Sequence, residues 1–467
     1  MTTAPVRAAS APDTGAAARA AGVATATATT GASPGPEGLA RRVRIGYASG
    51  ALASGTFTTL PGLLLLPYLT DTLGVTAAVA GAAVLVPKVW AAVLNPVIGR
   101  LSDRTRSRWG ARRPYVLVGG LAMAAALALM LSGPAHGTAG AWWTEAGFLL
   151  AASAFACFQI PYAAMPAEIG GRPGDRVALA VGRVVALGLA ALTVGAVAPV
   201  LVDLGGGGVE GHRWAGLFGA AVIVAGTLGV FLGTRSAAAG PVRESEPSLR
   251  RQLHAARGNA RFTALLGAAA AQALATGVLL AGTPYAARQV LPAPGWAGAL
   301  VAAFVVPNLA TTGLWRRLGD RLGTHRAYAV SCALFAAGCA LFLAAPVLPP
   351  AAVLATMALA GTGHAGQLML LYAMLPECIA EADARSGTSH GGLLAGLFST
   401  GEAAGLAVGP FLYSLVLQAF GYVSSDSGRA VGQSAPAELG VLTGMAVVPV
   451  LATAVAVAVL RRRRQDA

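Results

Sequence analysis

Two opposite charges lie deep inside apolar segments of this chain. Lys88 is the only lysine among 467 residues, and about a dozen residues separate it from either end of its segment. Glu402 occupies a similar central place in a segment near the C-terminus. At 1.5 Å per helical residue, each side chain would lie roughly 18–20 Å from either surface of a membrane, too far for it to reach water along its own length. Groups in this situation pair with each other, bind a solute or carry protons.

A third buried charge and seven neutral polar side chains accompany these two. Arg183 lies two turns into its segment, where it can contact an anionic or hydroxyl-rich solute; the alternative is a helix-end arginine that reaches back to the surface. Interhelical hydrogen bonds explain any one of the neutral residues, but together they indicate a mildly polar cavity. These residues are Asn95, Gln159, Tyr162, Gln272, Asn308, His364 and Gln367. For His364 alone, a bonded core histidine is the commoner role.

Arginines are concentrated in one short connection, "NPVIGRLSDRTRSRWGARRP" (95–114). Six of them fall between Arg100 and Arg113, in a chain that is 55% hydrophobic and only 11% charged. Arginine-rich loops fix the orientation of a membrane protein. Asp103 adds a second use, because a carboxylate near a helix end can cap free N–H groups and accept hydrogen bonds from arginines. The loop therefore predicts topology alone, or topology together with an ionic latch.

Long charge-free segments predict the elements that hold these residues. Residues 262–287, 289–315 and 327–376 contain no Asp, Glu, Lys or Arg. About 20 apolar residues span a bilayer as a helix, whereas a membrane β-barrel would show short alternating segments. The sequence predicts an all-α membrane protein with twelve transmembrane helices, at 44–69, 75–100, 114–132, 143–166, 177–203, 213–234, 262–286, 293–316, 326–345, 350–375, 388–417 and 439–460.

The basic residues predict how these helices are oriented. The N-terminal tail, the even-numbered connections and the C-terminal tail hold 29 of the 33 basic residues. By the positive-inside rule, both termini are expected in the cytoplasm of a multi-pass protein of the cytoplasmic membrane. The expected organisation is a disordered cytoplasmic tail (1–43), a first six-helix bundle (44–234), a cytoplasmic linker (235–261), a second six-helix bundle (262–460) and a short cytoplasmic tail (461–467).

Two charged motifs of the first bundle recur in the second, which indicates that the second bundle repeats the first. Asp103 and Arg104 follow span two, and Asp320 and Arg321 follow span eight, 217 positions later. Likewise, Glu168 and Arg176 follow span four, and Glu377 and Arg385 follow span ten, 209 positions later. Parallel six-span repeats are a mark of the major facilitator architecture.

Composition and motifs argue against several other classes. The net charge of +14 arises from the loops and needs no nucleic acid partner. The four cysteines lack metal-ligand spacing, and the chain has no nucleotide-binding loop, metal cluster or nucleophile–base pair. We therefore expect neither an enzyme nor a cofactor or metal; the expected partners are a small solute, the lipid bilayer and protons.

The segment "SDRTRSRWGARRP" (102–114) resembles the loop motif of the major facilitator superfamily. More narrowly, it resembles the glycoside–pentoside–hexuronide:cation symporters, together with "YLTDTLGVT" (68–76), "IPYAAMPAE" (160–168) and "YAMLPE" (372–377). The resemblance implies two six-helix bundles that rock about a shared cavity. It also implies a cytoplasmic latch, for which the candidate residues are Asp103, Arg104, Arg108, Arg112, Arg113, Glu168, Arg176, Asp320, Arg321, Glu377 and Arg385.

The acids that bind the coupling cation in this family are missing here. The resemblance places them at Ala91 and Asn95 on span two, and at Ala51 and Gln159 on spans one and four. Sodium needs hard oxygen ligands, normally including a carboxylate, so this substitution argues against a sodium site of the family type.

The resemblance also suggests what has replaced those acids. By this resemblance, family members often carry an arginine at the position of Lys88 and a lysine near the position of Ala403. The resemblance also implies that spans two and eleven are neighbours. We therefore hypothesise a reversed pair, with the base Lys88 on span two and the acid Glu402 on span eleven, in which protonation of Glu402 couples transport to protons. The alternatives are a static pair, no pair at all, or a Lys88 bonded to backbone carbonyls near Pro87.

The expected function is secondary active transport of a small organic solute by alternating access, with proton coupling as a candidate. An exporter or facilitator of an apolar metabolite or drug, without cation coupling, remains an alternative because the acids of the family are absent. A non-transporting membrane scaffold or sensor is a more remote alternative. It would have a filled centre in place of a cavity.

Overall fold

Long helices dominate the fold. The computed structural model describes residues 39–105, 107–133, 137–169, 173–237, 259–291, 296–386, 391–425 and 431–465. Within these ranges the chain forms twelve long helices and no strand, as the charge-free segments predict. The all-α fold class is confirmed.

The first six helices are α1 (Arg41–Pro67), α2 (Ala77–Arg104), α3 (Arg113–Met130), α4 (Gly137–Ile169), α5 (Pro173–Leu204) and α6 (Val209–Gly233). The second six are α7 (Ala260–Tyr285), α8 (Trp296–Leu322), α9 (Thr324–Leu341), α10 (Pro350–Ser386), α11 (Gly391–Ala419) and α12 (Ala435–Gln465). Two of them continue into π-helical turns, Tyr68–Thr72 after α1 and Ala286–Val290 after α7.

The helices are long enough to cross a bilayer. Eleven of those in the described part of the chain are also sufficiently apolar by composition. The twelfth, α10, is the longest at 37 residues, but polar groups such as His364 and Gln367 interrupt its apolar sequence.

Several helices extend beyond their predicted boundaries, most of all α10. Helix α10 continues to Ser386, beyond the predicted limit at residue 375, and α12 continues through Gln465 into the predicted tail. A helix does not end where hydrophobicity ends, because polar residues outside the bilayer can extend it. Of the predicted N-terminal tail and central linker, residues 1–38 and 238–258 lie outside the described residues.

The two halves repeat the same packing. In the first bundle α1 packs against α5 and α6, and α3 against α4 and α6; in the second, α7 packs against α11 and α12, and α9 against α10 and α12. The bundles contact each other through α2 with α11, α5 with α8, and α1 with α7. This correspondence is the structural form of the sequence repeat.

Small residues allow the helices within each bundle to pack closely. A Cβ atom placed on Gly46 of α1 would lie 2.5 Å from the Cα atom of Gly233 of α6, and the reverse holds for Gly233. Apolar burial drives association weakly when the solvent is lipid, so close backbone packing contributes much of the stability of such helix pairs.

We expect the substitution Gly233→Val to weaken the packing of α1 on α6. Overpacking of this kind costs typically 1–3 kcal/mol, so the melting temperature of the detergent-solubilised protein should fall by several degrees. Gly313→Ala is the matched control, because an added Cβ at Gly313 meets nothing within 4 Å. Equal melting temperatures for the two variants would contradict this packing.

Candidate functional site

A cleft between the bundles is closed at one end. We call the end that carries Arg41, Arg104, Arg317 and Arg461 the arginine-rich end, and the end that carries the two π-helical turns the opposite end. Several contacts between the bundles lie in the half towards the opposite end: Ser414 of α11 packs on Gly81 of α2, and Val301 of α8 packs on Gly195 of α5.

Side chains in the middle of the helices nevertheless remain accessible. Tyr372 of α10 is 47% exposed, and Arg183 and Glu402 are only half-buried. Together with the contacts between the bundles towards the opposite end, this exposure is consistent with a cleft that is reached from the arginine-rich end.

Lys88 lies where the bundles meet. Its Nζ atom donates a hydrogen bond to the backbone carbonyl of Leu406 on α11, at 3.3 Å. This is not the pair with Glu402 that was hypothesised from the sequence. The partner of Lys88 is a carbonyl on the other bundle, rather than a carbonyl near Pro87 or the carboxylate of Glu402.

Glu402 lies one helical turn from Leu406 on α11. Its Oε2 atom accepts a hydrogen bond of 2.8 Å from the hydroxyl of Tyr372 on α10. The Tyr372 ring packs edge-on against Phe398, one turn earlier on α11, with the ring centroids 5.1 Å apart. Lys88 and Glu402 thus occupy neighbouring turns of one interface with separate partners, and the described residues show no direct ion pair between them.

Arg183 faces an aromatic cluster in the first bundle. Its guanidinium carbon lies 5.6 Å from the ring centroid of Tyr162, which in turn stacks on Tyr47 at 4.8 Å. The Tyr162 hydroxyl donates to the backbone carbonyl of Tyr47 at 2.8 Å, which fixes the ring. Among the described side chains, no carboxylate lies within ion-pair distance of Arg183. A cation over a ring face is attracted to it but keeps its ability to bind an anion.

Neutral groups occupy the positions of the missing acids. The Gln159 side-chain oxygen accepts a hydrogen bond of 2.6 Å from the hydroxyl of Ser54 on α1. Asn95 on α2 is half-buried, one turn beyond Ala91. The described part of the chain shows no group of His, Cys, Asp and Glu residues arranged to hold a metal ion.

His364 is the centre of a network inside the second bundle. Its Nε2 atom lies 2.6 Å from the amide nitrogen of Gln272 and 3.0 Å from the hydroxyl of Thr276, both on α7, and its Nδ1 atom contacts the amide of Asn308 on α8. A neutral imidazole has one donor and one acceptor nitrogen, so an Nε2 that accepts from Gln272 leaves Nδ1–H to donate. The Asn308 amide can turn to present its oxygen.

The three predicted cavity residues in this network therefore have a packing role within the second bundle. His364 and Gln272 are buried, whereas Asn308 is half-buried. Gln367 lies away from them and donates to the sulfur of Cys332 on α9 at 3.5 Å. Among the described contacts of the predicted cavity residues, the hydrogen bond of Lys88 to Leu406 is the one that joins the two bundles.

Part of the predicted latch ties loops of a single bundle together. Arg112, just before α3, pairs with Glu168 near the end of α4 at 2.8 Å, with their side chains 9% and 10% exposed. Arg113 donates to the backbone carbonyls of Thr234, Arg235 and Ala237, which follow α6. Both contacts hold the end of α3 in place within the first bundle.

The remaining latch candidates are spread over the arginine-rich end. Arg104, Asp320 and Arg321 are exposed, and Arg108 lies over the ring of Trp109 at 5.2 Å. Glu377 lines a small hollow of about 140 Å³ in the second bundle, beside Arg261. The side chains of Asp103, Arg176 and Arg385 lie outside the described part of the structure.

The sequence analysis missed a polar cluster at the opposite end. Asp71 lies in the π-helical turn after α1, and Arg288 lies in the equivalent turn after α7; the Nη1 and Oδ2 atoms of the two are 3.7 Å apart. A signal was present, because these residues are 217 positions apart, the same offset that relates Asp103 to Asp320. Tyr372, the partner of Glu402, was also not singled out.

Comparison with protein families gives a match over most of the chain. A family model described as "MFS/sugar transport protein" matches residues 46–465. The chain is 25% identical over 421 residues to the glucuronide carrier protein homolog of Escherichia coli (strain K12), covering 88% of this chain and 90% of that protein. It is also 25% identical over 423 residues to the uncharacterized symporter YnaJ of Bacillus subtilis (strain 168), covering 87% and 88%.

A putative glycoside/cation symporter of Escherichia coli (strain K12), YagG, is 32% identical over 195 residues, or 42% of each chain. Among solved structures, a bacterial homolog of the human lysosomal transporter Spinster, crystallised in an inward-facing and occupied conformation, aligns with a TM-score of 0.68. It covers 91% of this chain and 96% of that one, at 15% identity. The nucleoside transporter NupG aligns with a TM-score of 0.60 at 15% identity, covering 91% and 98%.

The pair of Arg112 and Glu168 should stabilise the first bundle. We expect Arg112→Gln and Glu168→Gln each to cost about 3 kcal/mol, because removing one partner leaves the other charge buried without it. The double variant should lose less than the sum of the two. Thermal unfolding in detergent, with Arg104→Gln as an exposed control, measures the cycle. Losses that simply add would contradict a direct interaction.

Proposed function

The chain belongs to the MFS/sugar transport protein family, and from that premise we propose that it transports a polar organic solute and couples that transport to protons through Glu402. As a member of this family it is a multi-pass membrane protein and a secondary transporter that works by alternating access, not an enzyme. Its membrane, its orientation, its coupling ion and its solute class are the parts that we propose.

The proposed orientation places the arginine-rich end in the cytoplasm. The positive-inside rule supports this choice, because among the described residues that end carries Arg41, Arg104, Arg317 and Arg461, whereas the opposite end carries Arg213 and Arg288. The cleft would then open to the cytoplasm of the cell whose cytoplasmic membrane holds the protein. The exposed arginines at this end would form the cytoplasmic latch when the bundles close there.

The placement of Glu402 is the observation that carries the proposal of proton coupling. It is a half-buried carboxylate, one turn from the carbonyl that binds Lys88. That lysine is on α2, the helix on which the resemblance places the family's acids at Ala91 and Asn95. A protonated carboxyl can keep its hydrogen bond with Tyr372, whereas an ionised one attracts the ammonium group of Lys88 across the interface. The charge of Glu402 is thus linked to how the bundles meet.

Proton coupling also agrees with the lack of acids at the positions where the resemblance places the family's cation-binding carboxylates. Gln159 and Ser54 offer amide and hydroxyl oxygens, and the carboxylate of Glu402 lies on α11 of the other bundle. Sodium, as a hard cation, is normally held by several oxygen ligands, whereas a proton needs a single titratable group. The names of the relatives, which include symporters, support coupling to a cation without fixing which cation.

Arg183 indicates the class of solute. It presents a positive charge without a described carboxylate partner, beside the Tyr162 ring. Guanidinium groups bind carboxylates through two parallel hydrogen bonds, and aromatic rings pack on sugar-like rings. A glycoside with a carboxylate fits both features, and a glucuronide carrier homolog is among the relatives.

Replacement of Glu402 should uncouple transport from protons. In proteoliposomes that take up 4-nitrophenyl glucuronide, an inward pH gradient should drive accumulation by the parent protein. We expect Glu402→Gln to lose this drive at least about tenfold, while exchange of internal for external solute continues, because exchange needs no net proton movement. Asp320→Asn is the control, since Asp320 is an exposed carboxylate at a helix end. Unchanged pH-driven accumulation in Glu402→Gln would refute the role of this residue. If the protein is a facilitator, the parent protein will show exchange but no pH-driven accumulation.

Arg183 should discriminate between charged and neutral solutes. We expect Arg183→Gln to weaken the binding of 4-nitrophenyl glucuronide about tenfold and that of 4-nitrophenyl glucoside much less, because only the former loses a charged hydrogen bond. Arg183→Lys, which retains the charge, should lie between the parent and Arg183→Gln. Competition against labelled glucuronide gives both affinities. Equal losses for the two solutes would contradict carboxylate recognition.

A further inference from the structure

The two π-helical turns meet across the interface between the bundles. The turn Tyr68–Thr72 ends α1, and the turn Ala286–Val290 ends the equivalent helix α7. The hydroxyls of Thr70 and Tyr285 are 2.7 Å apart. A π-helical turn is rare and often marks a functional position, because it redirects side chains that a regular helix would turn elsewhere.

Asp71 is the acceptor at the centre of this meeting point. Its side chain is 5% exposed, and Arg288, at 3.7 Å, is 20% exposed. Its Oδ1 atom accepts hydrogen bonds from the hydroxyls of Thr70, at 2.8 Å, and Tyr422, at 3.0 Å. Tyr285 can in turn donate to Thr70. Every neighbour is thus a donor or a cation, which is the environment that an ionised carboxylate requires when it is buried.

Tyr422 belongs to the loop that follows α11. Burial raises the pKa of its hydroxyl above the ordinary value, and the charge of Asp71 adds to this effect. The hydroxyl therefore stays protonated and remains a donor to Asp71. The amide of Gln289, in the π-helical turn after α7, lies 3.4 Å from the same hydroxyl and donates to it.

The same loop is fastened to the first bundle by its backbone. The amide of Ser425 donates to the carbonyl of Thr70 at 2.9 Å, and the hydroxyl of Ser424 donates to the carbonyl of Val75 at 2.7 Å. The end of α1 is therefore held from two sides, by the turn after α7 and by the loop after α11. All of these partners belong to the second bundle.

We infer that Thr70, Asp71, Tyr285, Arg288 and Tyr422 form a lock that holds the opposite end closed and that breaks once in every transport cycle. Its contacts join the two bundles, so they exist only while the bundles meet at this end. An interaction present in one of two states biases the equilibrium between them. We call these five residues the Asp71 lock. The inference rests on alternating access by the two bundles and not on coupling through Glu402.

The lock has a different composition from the arginine-rich end. A buried carboxylate with one guanidinium and two hydroxyl donors is desolvated and directional, whereas five of the eight latch candidates whose side chains are described are exposed. Separation of the bundles must rehydrate Asp71 and Arg288 together. Loss of either partner removes the charge pairing of the closed state while leaving the helices that carry it unchanged.

The test measures access to a buried position behind the lock. Ser414 on α11 is fully buried against Gly81 of α2, between Lys88 and the opposite end. A cysteine there should react with a water-soluble maleimide only when the opposite end opens. The background carries Cys157→Ala, because Cys157 is the partly exposed native cysteine, and residual labelling of the protein without Ser414→Cys is subtracted. Detergent-solubilised protein makes the readout independent of orientation and of any solute.

We expect Asp71→Asn and Arg288→Gln each to raise the labelling rate about fivefold or more, the lower end of usual conformational couplings. Tyr422→Phe should raise it by a smaller factor. The charge exchange Asp71→Arg with Arg288→Asp should return the rate towards that of the parent. Asp203→Asn and Arg213→Gln are the matched controls, since both residues are exposed near the same end.

The outcomes separate the lock from a merely structural role. Rates for Asp71→Asn and Arg288→Gln that equal those of the controls would overturn the inference, as would a charge exchange that labels as fast as the single variants. Should Asp71→Asn elute as aggregate on size exclusion, Arg288→Gln and Tyr422→Phe decide the question. Because the assay uses neither protons nor solute, a failed lock leaves the proposed coupling through Glu402 untouched, and the reverse also holds.

Discussion

A charged side chain in the interior of a membrane protein needs a polar partner, and in this chain the interface between the two bundles supplies several of those partners. Lys88 of the first bundle binds a carbonyl of the second, and Asp71 of the first binds Arg288 and Tyr422 of the second. Such groups are costly where they face lipid, and costly when buried alone. Movement of one bundle against the other therefore changes the partners of each charge, and each charge in turn affects which movement is favoured.

The contacts between the two bundles are concentrated at the opposite end, and this distribution defines the conformation of the molecule. At the opposite end, two π-helical turns and a loop bring a buried carboxylate to its donors, and Ser414 and Gly81 close the space behind them. Nearer the middle, Arg183, Tyr372 and Glu402 remain partly exposed. For a transporter that works by alternating access, this is a conformation accessible from the arginine-rich end. The central charges are available to a solute, while the Asp71 lock closes the far side.

Much of the fold could be predicted from sequence because hydrophobicity and charge act over whole segments. Charge-free runs of about 20 residues located the helices, and α10 extended beyond its prediction only where polar residues continue the helix outside the apolar run. The depth of Lys88 and the family resemblance led to a hypothesised pair with Glu402 on α11, whereas Lys88 binds the carbonyl of Leu406 on that helix. This partner could not be predicted, because a backbone carbonyl has no signature in the sequence. The Asp71 lock was missed for a related reason: Asp71 and Arg288 come together through two π-helical turns, whose geometry is not visible in residue types, although the repeat offset of 217 aligns them.

The central claim is that the two ends of the cleft open in alternation. Distances between paired spin labels test it most directly. One pair is Leu101 on α2 and Ser399 on α11, near the arginine-rich end. The other pair is Thr76, just before α2, and Gln418 on α11, near the opposite end. The account predicts a long distance for the first pair and a short one for the second in the resting protein, and a reciprocal change of both when Asp71 is replaced by asparagine. Two distances that lengthen together, or that do not respond to this substitution, would contradict it.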